Sequence, residues 1–302
     1  MDLVLLGTAA GGGFPQWNCW CPPCRVARSD PRRAHPRSQS SAAVSVDGSR
    51  WFLLNASPDV RDQLVRLNGV APSGTRYVPI EGIVTTDAEL DHTVGITLLR
   101  EARRLQLYAT EAVQTVLAED SRILPVTGAF AEVKVTTLPL EQPVRLKTFE
   151  GQTTGLSVTA FPVPGDPPRF ARQEQPGHTV GLIIKDADSG GSVAFVPGCG
   201  GLSAALLERL SKVDLLLFDG TFWTDRELID LGISDRTARQ MDHLPVSGSD
   251  GSLALLAGLP CRQKVYTHIN NSNPMLLEQS PERRMVEAAG VHVGDDGMRF
   301  AL

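Results

Sequence analysis

The stretch Val84-Thr85-Thr86-Asp87-Ala88-Glu89-Leu90-Asp91-His92-Thr93-Val94-Gly95 limits what this chain can become more than any other. Its β-branched start reads as a buried strand, which runs into a turn crowded with carboxylates and an imidazole before a helical pattern begins. Clustered carboxylates repel one another unless a cation screens them. Carboxylate with neutral imidazole is a donor set for iron, manganese or zinc, and a strand-to-helix turn lets such side chains converge on one point. Asp91 alone could cap the following helix, but capping leaves Asp87 and Glu89 without a role.

A chain of 302 residues, 42% hydrophobic and 21% charged, has enough apolar material for a sizeable core. We expect one domain, 1–302. A net charge of −5 argues against a general nucleic-acid or membrane-surface binder. No apolar run reaches the length of a membrane span. The start, Met1-Asp2-Leu3-Val4-Leu5-Leu6-Gly7, has no basic region before its apolar run and reads as a strand, so a signal peptide is not expected and the cytoplasm is.

Strand patterns fall at Leu3–Leu6, Ala42–Val46, Trp51–Leu54, Gly82–Thr85, Ser157–Phe161, Val180–Ile184, Ser192–Val196, Asp214–Phe218 and Lys264–Thr267. Helical patterns fall at Asp59–Leu67, Asp91–Arg104, Glu111–Glu119, Ser203–Lys212, Ser249–Leu256 and Ser280–Ala289. Strands occur in consecutive pairs as well as alternating with helices, which favours an α/β or α+β fold with two helix-covered sheets over one parallel sheet. Arg25–Arg37 and Pro164–Gly177 read as loops.

Cys19-Trp20-Cys21-Pro22-Pro23-Cys24 can wrap one zinc with three thiolates. A zinc so rich in thiolate is closed to substrate and would pin a loop, so the site reads as structural, its fourth ligand being His268, Asn271 or a residue such as His35. Cys199 and Cys261 read as core thiols. The glycines of Gly11-Gly12-Gly13 follow a strand but lack the lysine of a phosphate-binding loop, and mark a close backbone approach. Three later features could complete the acidic centre: the apolar strand ending in Asp219, the turn at Asp242-His243, and the strand ending in His268 before Ile269-Asn270-Asn271-Ser272-Asn273-Pro274. His178 stands open as a metal ligand or substrate contact. Asp59 and Arg61 could buttress the acidic turn. Arg236, Arg239 and Arg61 are candidate partners for substrate carboxylates.

Taken together, and in this order, these segments resemble the metallo-β-lactamase superfamily. Its usual His-x-His-x-Asp-His turn stands here as Asp87-Ala88-Glu89-Leu90-Asp91-His92, with acids in place of both leading histidines. That weakens a dizinc hydrolase reading and leaves an oxygen-rich set better suited to iron. Further matches narrow the resemblance to the family of coenzyme pyrroloquinoline quinone (PQQ) synthesis protein B. They are Gly11-Gly12-Gly13-Phe14-Pro15-Gln16-Trp17-Asn18-Cys19, Asn55-Ala56-Ser57-Pro58-Asp59, Asp219-Gly220-Thr221-x-Trp223, His268-Ile269-Asn270-Asn271 and Ser280-Pro281-Glu282-Arg283.

That resemblance implies an αββα sandwich, two mixed sheets face to face with helices outside. It implies a structural zinc at Cys19, Cys21 and Cys24 and a separate active-site metal, iron(II) or another divalent ion. The activity implied is hydroxylation of the tyrosine ring of a cross-linked Glu–Tyr precursor by O₂, with a soluble carrier for transport of PQQ or its precursor to the periplasm, or a zinc hydrolase of the same fold, as alternatives. Oxygen insertion into a closed-shell ring needs a redox metal, for which two histidines and a carboxylate are the recurrent holder. Asp91, His92 and His268 would supply that set, with Glu89, Asp219 and His243 as further ligands or a proton-transfer base and Asp87 last in order. The partners expected are the precursor, O₂, other proteins of the pathway and a second copy as a homodimer, with neither nucleic acid nor membrane.

Overall fold

The computed structural model describes residues 1–67 and 75–302. Two seven-stranded sheets form its centre. The first holds β1 (Asp2–Gly7), β2 (Ser41–Ser45), β3 (Trp51–Leu54), β4 (Ile80–Val84), β5 (Arg104–Ala109) and β6 (Glu132–Thr137). The second holds β7 (Pro143–Lys147), β8 (Thr153–Pro162), β9 (Val180–Asp186), β10 (Ser192–Val196), β11 (Leu215–Asp219), β12 (Gln263–Thr267) and β13 (His292–Val293). The last strand, β14 (Arg299–Ala301), returns to the first sheet beside β1, so the orders are β14-β1-β2-β3-β4-β5-β6 and β13-β12-β11-β10-β9-β8-β7. Both sheets are mixed: β3 to β6 and β10 to β13 are parallel, their other pairings antiparallel.

Alternation along the strands explains the layering. On β1, Leu3 and Leu5 face the second sheet and pack with Val158, Ile184, Phe195 and Leu217, while Val4 and Leu6 face helices with Val60, Ile96 and Val113. The far face of the second sheet, with Val196, Leu216, Phe218 and Tyr266, is covered by Ala27, Leu206, Leu256 and Val286 from its own helices. The result is the αββα sandwich that the resemblance implies.

Several elements differ from the sequence pattern. Residues 22–29, expected as loop in part, form the helix Pro22–Ser29, with Pro22 in the first turn where a missing N–H costs nothing. The helix expected over Asp91–Arg104 breaks into Leu90–Thr93, Gly95–Leu98 and a 3₁₀ turn at Arg100–Ala102, and the chain then enters β5. Gly95 sits where a β-carbon would lie 2.2 Å from the Ser57 carbonyl oxygen, so the segment is pinned against the Asn55–Asp59 turn. Strands β6 and β7 escape the pattern because they are sheet edges whose exposed sides carry Glu132, Lys134, Arg145 and Lys147.

Candidate metal centre

Four segments converge at the carboxyl ends of β4, β11 and β12, where open sheets place functional groups. The acidic turn leaves β4 after Val84. Asn55 holds it: Asn55 Nδ2 donates to Thr86 Oγ1 and the Thr86 amide donates to Asn55 Oδ1, both at 2.9 Å. Thr86 Oγ1 in turn donates to Asp87 Oδ2 at 2.7 Å.

Three histidines line the resulting cavity, of about 290 Å³, with Asp87, Glu89 and Asp91. Each is gripped from behind at Nδ1. His92 Nδ1 lies 2.8 Å from both Asp87 oxygens. His243 Nδ1 lies 2.7 Å from Asp219 Oδ2. Thr221 Oγ1 donates to Asp219 Oδ1 at 2.6 Å, so its hydroxyl proton is used and it accepts from His268 Nδ1–H at 2.8 Å. With every Nδ1 acting as a donor, every Nε2 is the atom left to bind a metal, an arrangement that recurs wherever histidine is a ligand. The buried His92 Nε2 has no hydrogen-bond partner, and His268 Nε2 lies 3.3 Å from Asp91 Oδ2.

The ligand atoms of Asp91, His92 and His268 lie within 4.8 Å of one another, and so do those of Asp219, His243 and His268. Charge favours a cation here. Burial works against a charged His92, but Asp87 and Asp91 outweigh it and raise its pKa to about 9. Burial likewise opposes ionisation of Asp91, which the neighbouring His92 and His268 nevertheless hold well below the ordinary carboxylate range. Glu89, at the rim, is pushed up to about 7 by desolvation and then by the charges of Asp87 and Asp91.

The geometry redistributes the expected roles. Asp91, His92 and His268 come together. Asp219, expected among the ligands, is fully buried, does not line the cavity, and spends its oxygens on the Thr221 amide and hydroxyl, the Cys199 amide and His243. His243, expected as a further ligand or a proton-transfer base, supplies the cavity-facing atom instead. Asp87 stands in the same position behind His92. His178 is buried with Nε2 on the Gln173 carbonyl and is not in the cavity. Asp59 supports the glycine-rich turn rather than the acidic one: it accepts from the Gln39 amide, and Gln39 Oε1 accepts from the Gly12 amide. Arg239 is taken by Asp250 at 2.6 Å. Sequence reading passed over Asn55 and Thr221 as partners of these side chains; the short Asp219-Gly220-Thr221 run was the available signal for the second.

The three thiols cluster as expected, their sulfurs within 4.8 Å of one another. The Cys21 thiol donates to Cys24, which lowers Cys24 to about 5 and pushes Cys21 up. Of the three proposed companions, Asn271 is the one present: its carbonyl oxygen lies 3.3 Å from Cys21 Sγ and its Nδ2 3.3 Å from Cys24 Sγ. His268 belongs to the other centre, and His35 Nδ1 is 3.0 Å from Asp295. Cys199 and Cys261 are buried in the core.

The beta-lactamase superfamily domain matches residues 50–269. The coenzyme PQQ synthesis protein B of Methylobacterium nodulans is 43% identical over the whole of both chains, and that of Gluconacetobacter diazotrophicus is 42% identical over 99% of each. The chain belongs to the coenzyme PQQ synthesis protein B family. The crystal structure of Zn²⁺-bound PqqB from Methylobacterium extorquens superposes on this chain with a TM-score of 0.90, at 40% identity and full coverage of both chains. A diphosphatase of the PhnP family, 22% identical over 100% of this chain and 97% of its own, shares the fold with a TM-score of 0.69. The metallo-β-lactamase fold and a relative that holds Zn²⁺ both go with a divalent-metal protein of PQQ biosynthesis.

Proposed function

We propose that this member of the family hydroxylates the tyrosine ring of the cross-linked Glu–Tyr precursor of PQQ, with Fe(II) held by His92, Asp91, His268 and His243. The observation that carries the reading is the set of three imidazoles, each locked at Nδ1, around one carboxylate, with acids where a zinc hydrolase of this fold has its two leading histidines. Iron, when bound, supplies the change of oxidation state that lets O₂ react with a closed-shell ring, which zinc does not. The balance is one ring C–H, one O₂, two electrons from an external reductant and two protons, giving C–OH and water. Asp87, Asp219 and Thr221 hold the imidazoles in the binding tautomer, and Glu89 at the rim is the carboxyl placed to pass protons between ring and solvent. The thiol cluster with Asn271 would hold a structural zinc.

We assign the precursor, O₂ and other proteins of the pathway as partners, and the cytoplasm as the compartment; none of the described helices is long and apolar enough to cross a membrane. Anaerobic reconstitution with Fe(II), followed by O₂, a reductant and the cross-linked substrate, should give a product heavier by oxygen. Metal-loaded protein that binds the substrate and adds no oxygen overturns the reading. The Zn²⁺ in the Methylobacterium extorquens relative favours a second reading, a zinc hydrolase, which ester or peptide turnover with zinc alone would establish.

A further inference from the structure

A space of about 380 Å³ adjoins the metal cavity along a common rim of Glu89, Asp166, Met241 and Asp242, and is completed by Pro167, Arg169 and Arg236. Building on the function proposed above, we propose that Arg169, Arg236 and Asp166 bind an amino-acid end of the substrate. A carboxylate sits on the two guanidiniums and the neighbouring ammonium on Asp166.

The charges of the wall select the ligand. Two guanidiniums line the space together with three carboxylates, those of Glu89, Asp166 and Asp242. A metal ion would be opposed by the arginines, and a polyanion by the acids. A zwitterion with its two charges a few atoms apart meets both with the right sign. The volume lies near the lower end of the range for small-ligand pockets, about 300–1,000 Å³, and fits one amino-acid end.

The two arginines are available for this role. Arg172 and Arg239, close by in the chain, are spent on Asp120 and Asp250. Among the described residues, Arg169 and Arg236 have no carboxylate in ion-pair contact, and each presents the planar fork that matches a carboxylate.

Their supports are fixed. The loop that carries Arg169 is tied on both sides: the Pro164 carbonyl accepts from the Gly200 amide at 2.8 Å, the Asp166 carbonyl accepts from Thr179 Oγ1 at 3.2 Å, and the Arg172 amide donates to Asp120 Oδ2 at 3.1 Å. Arg236 donates Nη2 to the Gln240 carbonyl, and its amide donates to Ser234 Oγ at 3.1 Å. A clamp held in this way loses little freedom when it closes on its ligand.

The same loop joins the clamp to the metal centre. Gly165 and Pro168 line the metal cavity, Pro167 and Arg169 the outer space, and Asp166 both. Burial, Asp87 and Asp91 raise the proton affinity of Glu89, and Arg169 is near enough for its charge to oppose them. Glu89 borders both spaces, so an end held on its outer side keeps the ring within reach of the imidazoles on its inner side.

The test uses the Fe(II)-loaded protein under anaerobic conditions and measures binding by calorimetry for three ligands: the cross-linked Glu–Tyr pair, its carboxamide and its N-acetylated form. The parent should bind the pair about tenfold or more tighter than either derivative. Arg169→Gln and Arg236→Gln should each weaken binding of the pair about tenfold and leave the affinity for the carboxamide as it was. Arg169→Lys and Arg236→Lys should recover part of the loss, since the charge remains without the fork. Asp166→Asn should weaken binding of the pair and spare the N-acetylated form. In turnover KM should rise in these variants while kcat, metal content and unfolding midpoint are kept. Equal affinity for the three ligands in the parent overturns the proposal, as does a discrimination that survives either arginine substitution. Equal losses for pair and carboxamide overturn it too, because they assign the arginines to the shape of the loop. Charge-dependent binding without oxygen insertion would sink the hydroxylase and leave the clamp; oxygen insertion with no dependence on the charged ends would do the reverse.

Discussion

The thiol cluster and the acid–imidazole centre are both tied to one short segment, residues 268–273, the first through Asn271 and the second through His268, yet they are assembled in contrary ways. The three thiols come from six consecutive residues in a loop and its following helix turn, and lean on Asn271. The other centre draws Asp91 and His92 from the end of β4, His268 from the end of β12 and His243 from a separate loop, each histidine braced by a buried partner. A cluster of neighbours needs its metal to hold the loop in shape. A centre braced by sheets and hydrogen bonds has its shape before the metal arrives. Removing either metal should therefore have opposite consequences.

The largest effect belongs to the braced centre. His92→Ala should cut oxygen insertion about a thousandfold or more, since even the partners that orient a ligand are worth 10–100-fold. Metal analysis of anaerobically purified protein should show one metal lost and the thiolate-bound zinc retained. Loss of both would show that the two centres are not separable. Next comes Cys21→Ser, for which the order reverses. Zinc leaves, and the fold weakens by about 3 kcal/mol or more, seen as a drop of roughly 6–12 °C in Tm. An unchanged Tm would mean that the thiols hold no structural metal.

The same contrast decides how much was legible beforehand. Cys19, Cys21 and Cys24 announce themselves by spacing alone, because their ligand geometry is local. Asp91 and His92 do so in part, since a strand followed by crowded acids has few other uses. The choice between Asp219 and His243 could not be read. It depends on which way a strand-end carboxylate turns, and that is fixed by the Cys199 amide, 20 residues away. The sandwich was legible from the central strands, where alternation and burial agree. Strands β5, β6 and β7 were not. The first begins at Arg104, where a helical pattern that starts at Asp91 ends, and the others are edges that keep charge on their open side.

The segment between the centres offers a pH test. Glu227 is buried, accepts from the Trp223 amide and Ser272 Oγ, and is pushed up to about 7 by burial. Its folded-state pKa is above the unfolded value of 4.5, so the folded chain binds the proton more tightly. The resulting stability is fully present below the unfolded pKa and is lost as pH rises through about 7. The loss reaches up to about 3 kcal/mol, at 1.36 kcal/mol per pKa unit. Glu227→Gln should flatten the fall in unfolding free energy between pH 5 and 8 in denaturant titrations. A variant with the slope of the parent would place that slope elsewhere.

The finest division is between the two bracing carboxylates. Asp87→Asn and Asp219→Asn should each weaken metal binding 10–100-fold, read by competition with a chelator, because each leaves a histidine free to turn. Their stabilities should part. Around Asp87 the Thr86 hydroxyl is a donor that can rotate to accept from the new amide nitrogen. Around Asp219 no such adjustment exists. One oxygen takes the Thr221 amide and hydroxyl, the other takes the Cys199 amide and His243, so an amide nitrogen placed at either position faces a backbone N–H. A buried donor set against a donor costs about 1–3 kcal/mol. Asp219→Asn should thus lose stability as well as metal, while Asp87→Asn loses metal and keeps its midpoint. Equal midpoints with equal loss of metal would mean that Asp219 is itself a ligand, with a carboxylate turned toward the cavity once the metal is bound.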